Sequence, residues 1–111
     1  MSMVFYPFSW KFLIYHRNEP IGFILLVREK IRPNSLGIDI ALKEEYRGKG
    51  YGKLAMEIFK TKYLKLIEEN LYAEINTNNI AAQKTIKVLD TEYTNTVNNS
   101  EFYNIINNKR K

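Results

Sequence analysis

The stretch Glu44-Glu45-Tyr46-Arg47-Gly48-Lys49-Gly50-Tyr51-Gly52-Lys53 decides how this chain is read. Three glycines fall within five residues, at 48, 50 and 52. They let the backbone turn tightly and approach a ligand without Cβ interference. A helical pattern begins directly afterwards, so several amide N–H groups point outward with no intrahelical partner. The start of a helix also carries a partial positive charge. Together these features suit a phosphate or pyrophosphate. Arg47, Lys49 and Lys53 add full positive charges, and an arginine can grip phosphate oxygens with a bidentate fork.

Upstream of this loop the pattern is that of strands. Lys11 to Arg17 carries the strand formers Phe12, Leu13, Ile14 and Tyr15, and Asn18-Glu19-Pro20 marks a turn. Ile21 to Lys30 alternates Phe23, Leu25 and Val27 with Ile24 and Leu26, an internal strand apolar on both faces. After Arg32-Pro33-Asn34-Ser35, a third strand from Leu36 to Lys43 sets Leu36, Ile38, Ile40 and Leu42 on one face and Gly37, Asp39 and Ala41 on the other. The three form an antiparallel meander.

Downstream the period changes. Leu54, Ala55, Ile58, Phe59, Tyr63, Leu66 and Ile67 recur at spacings of three and four, predicting an amphipathic helix from Gly50 to about Asn70. A short strand follows from Leu71 to Asn76, then a helix from Asn79 to Asp90 with Asn78 or Asn79 as its N-cap. Glu92 to Val97 and Glu101 to Ile106 pair around Asn98-Asn99. The predicted order is β-β-β-α-β-α-β-β, one α/β domain with an α+β mixed sheet spanning residues 1–111. Residues 1–10 form an apolar N-terminal segment, and residues 107–111 a basic, solvated tail.

Composition narrows the function. The 111 residues suffice for one core, and 45% apolar with 26% charged residues is globular composition. Cysteine is absent, which excludes a disulfide framework, a thiolate metal cage and a cysteine nucleophile. The lone His16 reads as a surface or strand-end residue, and no His/Asp/Glu spacing suggests a metal. The longest apolar run, Ile24 to Val27, is far too short to span a bilayer, and the first ten residues lack the features of a signal peptide. A cytoplasmic location is expected. The net charge of +5 fits a lysine-rich surface or an anionic ligand.

Other phosphate loops fail on particular residues. A Walker loop needs Gly where Arg47 stands and Ser or Thr where Leu54 stands. The dinucleotide fingerprint needs Gly where Lys53 stands and opens a βαβ unit, which this meander is not. Arg47-Gly48-Lys49-Gly50-Tyr51-Gly52, between strand and helix, instead resembles the pyrophosphate-binding motif of the GNAT superfamily of N-acetyltransferases. A second stretch, Glu74 to Ala82, resembles that family's next strand and helix, with Asn79 and Ala82 three residues apart. The resemblance runs from about Lys11 to Ile106.

The resemblance implies an acyl-CoA N-acyltransferase fold and acetyl-CoA as cosubstrate. It implies that Leu36–Lys43 and Leu71–Asn76 are neighbouring parallel strands that splay apart, with a β-bulge near the end of the first. Main-chain groups of Ile40, Ala41 and Leu42 would bond the pantetheine and acetyl portion, with Leu42 polarising the thioester carbonyl. The segment Arg47, Gly48, Lys49, Gly50, Tyr51, Gly52 and Lys53 would hold the pyrophosphate. Asn79 would bond the pantetheine arm. The acceptor amine must lose a proton, and Glu74 is the candidate base, with Asp39 as runner-up. A solvent-facing Glu74 paired with a lysine is the alternative. The family's usual thiolate-protonating Tyr is replaced by Ile86, leaving Tyr93, Tyr103 or water for that proton. Direct transfer in a ternary complex with an unidentified amine follows.

The family usually begins with a strand and helices, which the ten residues before Lys11 are expected to lack. A homodimer could then cover the exposed sheet face. A catalytically degenerate CoA-binding module is the alternative function. A small basic nucleic-acid binder is disfavoured, because the chain shows no recognised nucleic-acid motif.

Overall fold

The computed structural model describes residues 1–30 and 32–107. Its elements in chain order are β1 (Ser2–Tyr6), β2 (Lys11–His16), β3 (Glu19–Arg28), β4 (Ser35–Leu42), α1 (Tyr51–Lys62), β5 (Asn70–Asn76), α2 (Ile80–Ile86), β6 (Thr91–Val97) and β7 (Ser100–Ile105). Short 3-10 turns cover Pro7–Ser9, Glu44–Tyr46 and Leu64–Leu66. The strands form one seven-stranded sheet in the order β1-β2-β3-β4-β5-β7-β6. Of its neighbouring pairs only β4 and β5 run parallel; the rest are antiparallel. The α+β mixed sheet expected from the sequence is the one observed.

The front of the chain corrects that reading. Residues 2–6 form a strand paired along β2, from Ser2 opposite Tyr15 to Tyr6 opposite Lys11. The element order therefore carries one strand more than the periodicity predicted. Its signal was hidden because Pro7 and the turn follow after only five residues. Phe5 stacks on Phe12 with ring centroids 4.5 Å apart and reaches Trp10 at 6.0 Å, so of the four aromatic residues at positions 5, 6, 8 and 10, Phe5 and Trp10 pack against the core. Tyr6 and Phe8 are exposed.

Both helices are shorter than predicted. α1 stops at Lys62, and a 3-10 turn over Leu64–Leu66 replaces its last stretch. This tighter winding buries Leu64 and Ile67 and leaves Leu66 outside. Beyond Ile86 the chain closes with 3-10-type bonds, Val88 N–H to Thr85 O and Leu89 N–H to Ile86 O, which bury Leu89. The basic tail expected at Lys109–Lys111 lies outside the described residues.

The core lies between the helices and one sheet face. Phe12, Ile14, Ile24, Leu36, Ile38, Leu71, Ala73 and Ile75 meet Ala55, Met56 and Phe59 of α1 and Ile86 of α2. Phe12 and Phe59 pack edge to face, 5.1 Å apart. The opposite sheet face carries no helix among the described residues. Phe23, Leu25 and Val27 there are only half-buried, where the sequence predicted both faces of that strand to be covered. Pro7–Trp10 is all that joins β1 to β2, so no covering element enters at that point.

Candidate active site

The site begins with a break in the sheet. β4 and β5 pair only at Ser35–Asn70, Leu36–Leu71 and Gly37–Tyr72. From Ile38 onward they part, as the sequence reading required. The expected β-bulge in β4 is absent: its register with β3 runs unbroken from Arg28–Leu36 to Gly22–Leu42. The divergence alone frees backbone groups.

Strand parity decides which groups are freed. Lys43 N–H donates to Ile21 O at 2.8 Å, continuing the β3–β4 ladder. Backbone groups in an antiparallel pair alternate sides with a period of two. Lys43 and Ala41 therefore spend their groups on β3, while Ile40 and Leu42 aim theirs at the gap beside β5. Of the three main-chain contacts expected from Ile40, Ala41 and Leu42, this leaves the first and last with backbone groups toward the cleft.

The glycine loop closes one end of the gap. Gly50 caps α1 in the left-handed region at φ 87°, and Gly48 has φ 71°. Both conformations disfavour any side chain. A Cβ built on either residue meets nothing within 4 Å, so the loop presents an open concave surface. The first hydrogen bond of α1 runs from Leu54 N–H to Gly50 O at 3.2 Å, and the first-turn amides ahead of it lack i−4 partners. Outward amides at the start of a helix are suited to an anion.

A cleft of about 820 Å³ joins these parts. It is lined by Ile40, Ala41, Leu42, Arg47, Gly48, Gly50, Gly52, Lys53 and Asn79, together with Ile80, Ala81, Ala82, Lys84 and Thr85. Nearly all of the proposed cosubstrate contacts converge here. Lys49 is exposed but does not line the cleft. The side chain of Tyr51 turns away, leaving only its amide. Its ring lies 4.9 Å from His16 and 5.6 Å from Tyr46, and its hydroxyl lies 3.4 Å from His16 Nε2. This cluster pins the start of α1 to the end of β2. Tyr46 donates to Glu19 at 3.3 Å; burial, then that carboxylate, pushes its phenol above the ordinary value. Arg47 donates from Nε to Leu42 O at 2.9 Å, which ties the loop to β4.

Lys84 and Thr85 were missed in the sequence. Their signal was positional: both lie within two turns of Asn79, on the helix that the Asn–Ala spacing opens. Asn79 is the N-cap of α2, its Oδ1 accepting from Ala82 N–H at 3.0 Å. The three-residue spacing thus has a structural role in addition to any ligand contact. Asn76 accepts from Asn78 N–H at 2.8 Å, and Gln83 Nε2 donates to Thr77 O at 3.0 Å, fixing the β5–α2 turn.

A second cavity of about 150 Å³ lies where the strands part, lined by Ile38, Asp39, Ile40, Ala73, Glu74, Ile75, Asn76 and Asn79, with Met56, Ala82 and Ile86 from the helices. Asp39 and Glu74 meet in it from opposite lips of the split. Ile86 lines it without a proton to give. Tyr103 and Tyr93 line neither cavity. Tyr103 donates to Glu101, and Tyr93 shares a 2.7 Å bond with Thr96.

Comparison with known proteins agrees with this geometry. The acetyltransferase (GNAT) family model matches residues 4–90. No curated protein matches the chain by sequence. Among solved structures, a spermidine N-acetyltransferase from Vibrio cholerae in complex with CoA and spermine superposes with a TM-score of 0.70 at 14% identity, covering 89% of this chain and 66% of that one. An aminoglycoside acetyltransferase in complex with coenzyme A and kanamycin gives 0.69 at 18%, covering 89% and 66%. An acetyltransferase from Thermus thermophilus gives 0.60 at 18%, covering 86% and 62%. The chain thus spans about two thirds of the length of such structures. At these identities the superpositions show the fold, and the family match goes further: the chain belongs to the acetyltransferase (GNAT) family.

Proposed function

We propose that the chain transfers an acetyl group from acetyl-CoA to a primary amine of a small molecule or protein, by direct attack in a ternary complex. The observation that carries this reading is the convergence of unpaired β4 backbone, open glycine loop and basic side chains in one cleft. When bound, acetyl-CoA supplies an activated thioester. Arg47, Gly48, Lys49, Gly50, Tyr51, Gly52 and Lys53 hold its diphosphate, the side chains of Lys49 and Tyr51 contributing least. The outward N–H and C=O of Ile40 hold the pantetheine in place of the missing strand contacts, and Leu42 contributes its N–H alone, its C=O being held by Arg47 Nε. The Leu42 N–H faces the carbonyl oxygen as negative charge develops there. Asn79 keeps one amide hydrogen-bonding edge for the pantetheine while its Oδ1 caps α2.

Glu74 takes the proton from the acceptor ammonium, since a free alkylamine is protonated near neutral pH. The amine nitrogen then bonds to the carbonyl carbon, and as the carbon–sulfur bond breaks the nitrogen gives up its second proton, which water carries to the departing sulfur. Water receives the role of protonating the thiolate, because Ile86 stands where a donor would be useful. A thiol of ordinary pKa near 8.5 is a tolerable leaving group.

Ile86 also favours the second reading, a CoA-binding module without turnover. Thiol release with an amine panel separates the two. Glu74→Gln is expected to lower kcat by roughly 10²- to 10⁴-fold, the usual contribution of a general base. Coenzyme A affinity, measured by calorimetry, is expected to stay unchanged; its loss would refute the role as base. We further propose a cytoplasmic setting. The half-buried Phe23, Leu25 and Val27 support a homodimer through the β1–β3 half of the open face, tested by sedimentation.

A further inference from the structure

Beyond the lips of the split, the open sheet face carries a second arrangement. Tyr72 and Glu74 lie two residues apart on β5, on the same face. Phe102 pairs directly with Glu74 across β7, and Gly37 pairs with Tyr72 across β4. Gly37 leaves the space that the Tyr72 ring fills; a Cβ there would lie 3.2 Å from its hydroxyl. Asp39 follows Gly37 on the same face. Over this surface lies Arg32, from the β3–β4 connection. Its guanidinium carbon is 4.6 Å from the Tyr72 ring centroid and 4.9 Å from that of Phe102. Such distances are those of cation–π contact.

Two observations mark this as a seat for a ligand's charge. Tyr72 is 3% exposed, and its buried hydroxyl has no hydrogen-bond partner among the described residues. Leaving such a group unpaired is costly. The charges that act on it are Glu29, Glu74 and Asp39 on one side of the balance and Arg32 alone on the other. Burial, then Glu29, raises the phenol above its ordinary value, and Arg32 opposes them. Arg32 makes no ion pair among the described residues. A cation of the chain therefore lies on an aromatic shelf in an anionic field, over an unsatisfied hydroxyl, beside the proposed base.

We infer that Tyr72 and Phe102 form a cation-binding shelf for a second positive charge of the acceptor amine, and that Arg32 plugs this shelf until the acceptor displaces it. The inference rests on the acetyl-transfer reading and names its acceptor class, an amine bearing at least two cationic groups. One amine reaches Glu74 at the split. Another takes the place of the guanidinium, within reach of the Tyr72 hydroxyl and the Asp39 and Glu74 carboxylates. The shelf selects charge number and spacing, which a single carboxylate cannot do.

The test uses spermidine and hexylamine as probes, a triamine and a monoamine. Nuclear magnetic resonance follows the Arg32 Nε–H signal, which the two rings displace from its free-chain position. Spermidine is expected to return that signal toward the free-chain value, and hexylamine to leave it unmoved. In thiol-release assays, Arg32→Ala is expected to lower KM for spermidine about fivefold without changing KM for hexylamine. Tyr72→Leu and Phe102→Leu are expected to raise KM for spermidine while coenzyme A affinity stays constant. An unmoved Arg32 signal at millimolar spermidine would overturn the shelf, as would equal effects of Arg32→Ala on both amines. The two readings fail separately: signal displacement without thiol release would retain the shelf and reject acetyl transfer, and thiol release with an unmoved signal would do the reverse.

Discussion

Gly52→Ala separates stability from ligand binding more cleanly than any other change in the loop. Gly52 lies in the first turn of α1 and, unlike Gly48 and Gly50, does not adopt a positive φ. An added Cβ would meet Thr85 Oγ1 at 3.4 Å, Thr85 Cγ2 at 3.6 Å and Leu42 Cδ1 at 3.8 Å, which is ordinary contact. The free protein should therefore accept the methyl. Removing glycine's unfolded-state freedom at a compatible position stabilises by about 0.4–1 kcal/mol. For a domain of this size that raises Tm by roughly 2–6 °C. The same methyl adds a carbon to the cleft wall between Leu42 and Thr85, beside the proposed seat of the diphosphate. Overpacking a filled site by one carbon costs about 1–3 kcal/mol, so coenzyme A affinity should fall roughly five- to 150-fold. The assay is a pair of measurements on one sample: thermal melting without ligand, and calorimetric titration with coenzyme A. Higher Tm with weaker binding is expected. Unchanged affinity in a stabilised variant would refute the placement of the ligand. Gly48→Ala is the control, since its φ of 71° makes the folded state pay about 1–2 kcal/mol for any side chain.

Other expectations follow from single contacts. Asn79→Ala removes the Oδ1 cap on Ala82 and should cost about 1 kcal/mol of stability in denaturant titration; Asn79→Asp should keep the cap and restore most of it. Tyr103 has its phenol pushed up to about 12, first by its hydrogen bond to Glu101 and then by burial. Its contribution is complete below pH 10, where the unfolded phenol is neutral, and is lost as pH rises through about 12. The stability difference between wild type and Tyr103→Phe should therefore shrink between pH 10 and 12, and a constant gap would contradict the shift.

Much of this architecture was legible because its signals are local. The alternation of Leu36, Ile38, Ile40 and Leu42 marks the inner face of β4, and the glycine spacing marks the loop. What escaped depended on distant partners. β1 has too few residues to show a period, and its identity as a strand comes from pairing with β2. The turn of Tyr51 away from the cleft is set by His16 and Tyr46, residues 35 and 5 positions away. The early end of α1 brings Leu64 inward and turns Leu66 out, although in a continued helix Leu64 lies off the face that Ala55, Met56 and Phe59 bury. In the site, Asn79 was found through its spacing to Ala82. The pairing of Arg32 with Tyr72 and Phe102 was not, because three separate segments supply it.

The divergence of β4 from β5 gives this small sheet an interior edge. An outer edge invites any extended chain, but this one opens into a slot closed by helices on one side, so a slender amide-bearing ligand fits where a polypeptide does not. Recognition there is written in main-chain atoms, and exchanges such as Ile40→Val or Leu42→Ile should leave it intact. Proline at position 42 alone would delete the donor.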